Sequence, residues 1–120
     1  MQPPRILSIG RDCDLLSTRN LVLRKAGYAV AGTTDLQRAI QLLRRVWFDM
    51  VILCHAIPKD QREVAVWEIK RVQPRTNVVA LRSGGEALNA QVDGIVDSFN
   101  PESLLESIAE ILNHPARAAA

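Results

Sequence analysis

Several features that would point to a definite class of protein are scarce in this chain of 120 residues. It has two cysteines, Cys13 and Cys54, which are too few for the disulfide framework of a small secreted protein. No apolar run approaches the roughly 20 residues that a membrane-spanning helix needs. Residues 1–5 lack the apolar segment of a secretory signal peptide. We therefore expect a cytoplasmic protein with no membrane contact.

Charge of one sign is not concentrated anywhere in the chain. Fifteen Lys and Arg against thirteen Asp and Glu give a net charge of +2, with no block of like charges, so a nucleic-acid surface is not indicated. Hydrophobic residues make up 48% and charged residues 23%, which are ordinary values for a globular domain of this length. Since no linker, repeat or low-complexity segment interrupts the sequence, we predict one domain over residues 5–112 and a disordered tail over 113–120.

Short apolar runs typical of buried strands alternate with longer segments of helical spacing. The predicted strands cover residues 5–9, 28–33, 49–54, 76–81 and 94–97. This alternation implies a parallel sheet covered by helices on both faces. Right-handed crossover connections then favour an α/β, flavodoxin-like, doubly wound sheet of five strands in the order 2-1-3-4-5.

The helical segments have recognisable starts and ends. We expect Asp14 to cap the first helix and Gly27 to end it, with Arg19 among the positions at helical spacing. The other helices are predicted over residues 36–46, 62–72 and 101–112. The span between Leu81 and Ile95 is too short for a full helix with its loops, so a helix between the fourth and fifth strands is shortened or absent.

The tip of the third strand is the most informative part of the sequence. Residues 49–58 read as a buried strand that stops at Cys54 and turns, and chemistry in parallel sheets sits where the strands end. Together with the junction at residues 27–28 and the helix start at residues 100–102, this run resembles the receiver domain of two-component response regulators. The resemblance covers residues 5–112.

The resemblance implies transfer of a phosphoryl group from a histidine kinase to an aspartate at this strand tip. It also implies an acidic pair for Mg²⁺ after the first strand, a Thr or Ser after the fourth and a Lys after the fifth. In this sequence the acceptor position is Cys54, the acidic pair is Gly10 and Arg11, the Thr or Ser position is Arg82, and the Lys position is Asp97. None of these residues supplies the group that the family uses.

The coordination chemistry of Mg²⁺ also argues against a metal site at these positions. Mg²⁺ requires hard oxygen ligands, which Gly10 and Arg11 do not provide. A guanidinium about 4 Å from a dication would cost on the order of 8 kcal/mol at an effective dielectric constant near 20. We therefore predict no bound metal, no cofactor and no phosphorylation of Cys54.

The sequence thus predicts a non-phosphorylatable, receiver-like signalling module of a bacterial two-component or phosphorelay system. We expect it not to be an enzyme and to act by binding a protein partner, with a homodimer left open. Trp67 lies away from the apolar stripe of its predicted helix and is a candidate for the interface.

Two alternatives from other functional classes stay open. Cys54, with or without Cys13, would serve a redox-responsive switch. Arg11 and Arg82 would serve an anion or nucleotide sensor, because guanidinium groups bind phosphate in a forked geometry. An ion pair between Asp97 and either arginine would instead close the site.

Overall fold

The computed structural model describes residues 3–54, 57–82, 92–97 and 101–113. In chain order the elements are β1 (Arg5–Ile9), α1 (Cys13–Lys25), β2 (Ala29–Thr33), α2 (Leu36–Arg45), β3 (Met50–Leu53), α3 (Lys59–Val72), β4 (Asn77–Arg82), β5 (Gly94–Asp97) and α4 (Pro101–Leu112). The strands are parallel and lie in the order β2-β1-β3-β4-β5. This confirms the predicted flavodoxin-like topology. None of the helices in the described ranges is long and apolar enough to cross a membrane.

Alternating residues of the central strands pack against opposite layers of helices, because successive side chains of a strand point to opposite faces of the sheet. On one face Val51 and Leu53 of β3 join a core that includes Ile69 of α3. On the other face Met50 and Ile52 join a core with residues of α1 and α4. Both faces of β3 are therefore buried, which explains its unbroken apolar sequence.

The start of α1 differs from the prediction. Asp12, not Asp14, is the N-cap: its backbone is extended (φ −104°, ψ 117°), and its Oδ1 accepts hydrogen bonds from the N–H groups of Asp14 and Leu15. Asp14 already lies in the first helical turn, where a carboxylate interacts favourably with the helix dipole. The predicted end is confirmed, since Gly27 follows the helix with φ +102°, a conformation that favours glycine.

Helix α3 also begins earlier than predicted, at Lys59 instead of Arg62. Pro58 occupies the N-cap position with its fixed φ of −55° and makes no side-chain capping bond, so the usual capping signal is missing. The first turn, residues 59–61, is polar, so apolar residues at helical spacing do not mark it as part of the helix. The consequence is that Arg62 lies inside the helix and is only 2% exposed.

Two predictions lie outside the described residues. The shortened helix between β4 and β5 would fall within residues 83–91, and most of the predicted tail within residues 114–120.

Candidate functional site

The predicted site positions lie along the carboxyl edge of the sheet, with Cys54 at its centre and Gly10 beside it. Because β3 lies between β1 and β4, the residue that follows it is at the centre of this edge. The N–H of Cys54 donates to the carbonyl of Ile9 at 2.9 Å, which ties the end of β3 to β1. Gly10 follows Ile9 in the sequence, and an ideal Cβ built on Gly10 would lie 3.7 Å from the Cβ of Cys54. Gly10 and Cys54 are therefore neighbours, as the positions of the acidic pair and the acceptor would be.

Cys54 is buried, with 1% of its surface exposed, and an arginine that the sequence had not assigned to the site reaches it. Nη2 of Arg19, on α1, donates to the Sγ of Cys54 at 3.7 Å. Nη1 of Arg19 is also buried and has no hydrogen-bond partner among the described residues. Arginine carries a permanent charge, so the strand tip faces a fixed cation.

A second unassigned arginine lies near the end of the adjacent strand. Nη1 of Arg62 donates to the carbonyl of Leu81 at 3.1 Å, close to the carboxyl end of β4. Arg19 and Arg62 both escaped assignment because the receiver resemblance gives their helical positions no role. One feature of the sequence could have identified Arg19 as a site residue. It is a charged residue at a core-facing position of an amphipathic helix, where an arginine needs an explanation.

Arg11 lines a cleft of about 270 Å³ on the side of the sheet that carries α2 and α3. Thr34, Asp35 and Gln61 contribute further polar groups to this cleft, while Arg82 is not among its lining residues. Two inter-strand spacings, about 9.5 Å, separate the ends of β1 and β4. The structure thus places Arg11 and Arg82 on the same edge without bringing them into one cleft.

The carboxylate nearest to the acidic-pair positions is already engaged. Oδ1 of Asp12 accepts from the N–H of Asp14 at 2.9 Å and from that of Leu15 at 3.2 Å, as the cap of α1. Within the described ranges, no group of three or more His, Cys, Asp and Glu side chains is arranged to hold a metal ion. At the positions that correspond to the family's acceptor, acidic pair and Thr or Ser, the side chains present are a thiol at Cys54 and guanidinium groups at Arg11 and Arg82.

Arg82 and Asp97 are directly paired in the register of β4 and β5. Paired positions on adjacent strands place their side chains on the same face, so the backbone favours the predicted ion pair. The side chain of Asp97 lies outside the described part of the chain, and the ion pair stays a prediction. His55 and Ser83 also fall outside it.

The two thiols differ in environment. Cys13 is exposed at the start of α1, whereas Cys54 is buried, and neither takes part in a disulfide. A redox-active cysteine needs access to an oxidant or to a second thiol. The burial of Cys54 weighs against the redox alternative.

The comparisons with known proteins agree with this fold. No protein-family model matches the sequence, and no curated protein matches it significantly. Among solved structures, a CheY-like receiver domain protein from Methanospirillum hungatei superposes with a TM-score of 0.82 at 21% identity, over 93% of this chain and 95% of that one. The chemotaxis response regulator CheY4 of Vibrio cholerae gives 0.78 at 20% identity, over 92% and 99%.

A signal receiver domain of an HD domain-containing protein from Pseudomonas fluorescens is equally similar, with a TM-score of 0.82 at 21% identity over 94% of this chain and 97% of that one. At these identities the likeness shows that the chain has the fold of a receiver domain. The role of its strand tip has to be argued from its own residues.

Proposed function

We propose that this chain is a receiver-like signalling module of a bacterial two-component or phosphorelay system that is not switched by phosphorylation. One observation carries the proposal: the acceptor position holds a buried thiol, Cys54, with the guanidinium of Arg19 at 3.7 Å from its sulfur. A phosphorylation switch needs a nucleophile that takes up new negative charge and a bistable element that responds to it. Because the thiol of Cys54 is buried and in contact with the guanidinium of Arg19, this position offers a phosphoryl donor no accessible nucleophile.

The charge around the strand tip supports the same proposal. Four arginines, Arg11, Arg19, Arg62 and Arg82, come from the loops, strands and helices that meet at this edge. A site that holds Mg²⁺ for phosphoryl transfer concentrates carboxylates instead, because the dication is stabilised by oxygen ligands of opposite charge. The charged group that contacts the Sγ of Cys54 is instead a cation, the guanidinium of Arg19.

The proposed mechanism is constant display of one conformation to a protein partner in the cytoplasm. With no chemical input at Cys54, the chain has no means to shift between two states by phosphorylation. Its contribution to signalling is then its surface, and we assign it no catalytic step of its own.

The direct test is to offer the native protein a phosphoryl donor. We expect that incubation with acetyl phosphate and Mg²⁺ adds no phosphoryl group by intact-mass measurement, and that beryllofluoride with Mg²⁺ leaves its amide NMR spectrum unchanged. A receiver with an intact acidic pair, treated in parallel, shows that the reagents work. A stoichiometric phosphoryl adduct on the native chain that is lost in Cys54→Ser would overturn the proposal.

A second candidate function is an anion sensor, which the buried Nη1 of Arg19 favours because it has no hydrogen-bond partner in the described part of the chain. If this edge binds phosphate with a dissociation constant near 1 mM, about 10 mM phosphate stabilises the fold by about 1.4 kcal/mol, or about 5 °C in melting temperature. Arg19→Gln should then abolish the shift. Equal melting temperatures in phosphate and chloride at constant ionic strength would remove this candidate.

A further inference from the structure

The outer face of α3 carries a stripe that the sheet does not cover. Val64 is 55% exposed and Trp67 is 62% exposed, while Ala65, Val66 and Ile69 of the same helix are buried. Single exposed apolar residues are normal on a protein surface, but Val64 and Trp67 are three positions apart and therefore lie side by side on one face of the helix.

Two charged residues extend the stripe in both directions. Asp60 lies four positions before Val64, and Arg71 lies four positions after Trp67, so the four residues share one face of the helix. The guanidinium carbon of Arg71 is 5.2 Å from the centroid of the Trp67 ring, which orders both side chains by a cation–π contact. The stripe therefore has an acidic end, an apolar centre and a basic end. We call these four residues the α3 stripe.

The α3 stripe is complementary to itself. The midpoint between Val64 and Trp67 along the helix is also the midpoint between Asp60 and Arg71. If a second copy packs antiparallel across a two-fold axis at that midpoint, Val64 faces the other copy's Trp67, and Asp60 faces its Arg71. An isologous interface requires this kind of pairing, because the same patch must satisfy itself after rotation.

The alternating spacing of four, three and four residues also fits helix-to-helix packing. It places the residues at the positions of a two-helix seam, where side chains of one helix insert between those of the other. A parallel pairing would bring Asp60 against Asp60 and Arg71 against Arg71, which like-charge repulsion disfavours.

We propose that the chain self-associates through the α3 stripe, as an antiparallel α3–α3 dimer with a two-fold axis between Val64 and Trp67. The helix is about 21 Å long, so a contact between two such helices buries less than the roughly 800 Å² per partner of a standard interface. Because so small an interface is typical of weak association, we expect a dissociation constant on the order of 100 µM. The proposal does not depend on the proposed function, because it uses none of the residues at the strand tip.

Sedimentation equilibrium over about 10 µM to 1 mM tests the proposal with the native chain and charge variants. The native chain should show a reversible monomer–dimer equilibrium. Asp60→Arg and Arg71→Asp should each weaken self-association at least tenfold, because each single change creates two like-charge pairs across the axis. The double variant Asp60→Arg with Arg71→Asp should recover most of it, since the pairs are restored with their signs exchanged.

Mixing the two single variants gives an independent check. Each variant alone should associate at least tenfold more weakly than the native chain, but the mixture should form a heterodimer, because both charge pairs are then attractive. Trp67→Gln should abolish self-association, whereas Trp47→Gln, which changes the other tryptophan at 47% exposure, should leave it unchanged. A native chain that is monomeric at 1 mM, or single variants that associate as the native chain does, would refute the proposal.

Discussion

A variant carrying Gly10→Asp, Arg11→Asp and Cys54→Asp is expected to bind Mg²⁺, whereas the native chain is not. In about 10 mM Mg²⁺ we expect its melting temperature to rise by about 5 °C, as follows from a dissociation constant near 1 mM. The three positions meet at one edge of the sheet, and an added Cβ on Gly10 finds its nearest neighbour, Leu16 Cδ1, at 3.4 Å, an ordinary contact. The fold therefore accommodates a Cβ at position 10, and what the site lacks for Mg²⁺ is carboxylate oxygens.

The same variant should be less stable than the native chain without metal. Three carboxylates close together repel one another, and the one at residue 54 is removed from water, which disfavours its charged form. The variant with Asn at the same three positions is the matched control, because it has nearly the same shape without the charge. We expect it to show no response to Mg²⁺.

A substitution of Arg19 provides a second comparison in the same experiment. The guanidinium of Arg19 lies 3.7 Å from the Sγ of Cys54 and would neutralise a carboxylate placed there, in competition with the metal. Adding Arg19→Gln to the three aspartate substitutions should therefore strengthen Mg²⁺ binding further. An equal Mg²⁺ response in the native chain, or none in the triple aspartate variant, would contradict the view that the residue types at this edge decide its chemistry.

Gln73→Leu is expected to lower the free energy of unfolding by about 3 kcal/mol, because this buried amide satisfies three backbone groups. Nε2 of Gln73 donates to the carbonyls of Leu43 at 2.5 Å and Val46 at 2.6 Å, and its Oε1 accepts from the N–H of Phe48 at 3.3 Å. Leucine has a similar volume but leaves all three groups without this partner. Each buried group that loses its hydrogen bond costs about 1–3 kcal/mol, and partial rearrangement limits the sum.

Urea unfolding of both proteins measures this difference, with the slope against denaturant expected to stay the same. Gln41→Leu is the matched control, since Gln41 is exposed on α2 and the same substitution there should change the free energy by no more than about 0.5 kcal/mol. A loss below about 1 kcal/mol for Gln73→Leu would mean that water or a local shift replaces its hydrogen bonds. The linkage between α2, β3 and α3 through this side chain would then be unimportant for stability.

The sequence by itself determined the order of elements, the parallel sheet and the position of Cys54 at the tip of β3. These follow from local signals: the run Met50–Leu53 is apolar throughout because both faces of the strand are buried, and Gly27 ends α1 because it takes a positive φ. The family resemblance added which positions to examine at the carboxyl edge. Local signals were weaker at helix starts, where Asp12 and Asp14 both qualify as caps by residue type and only the backbone geometry separates them.

Only the tertiary structure decided what surrounds the strand tip. Arg19 lies 35 residues from Cys54 in sequence, and Arg62 lies 19 residues from Leu81. Both contacts depend on how α1 and α3 pack on the sheet, which no local pattern encodes. The same holds for Gln73, whose three backbone partners come from α2 and the segment before β3. Hydrophobic periodicity fixes which face of a helix is buried, but the partners of a polar side chain on that face depend on distances between elements that are remote in the chain.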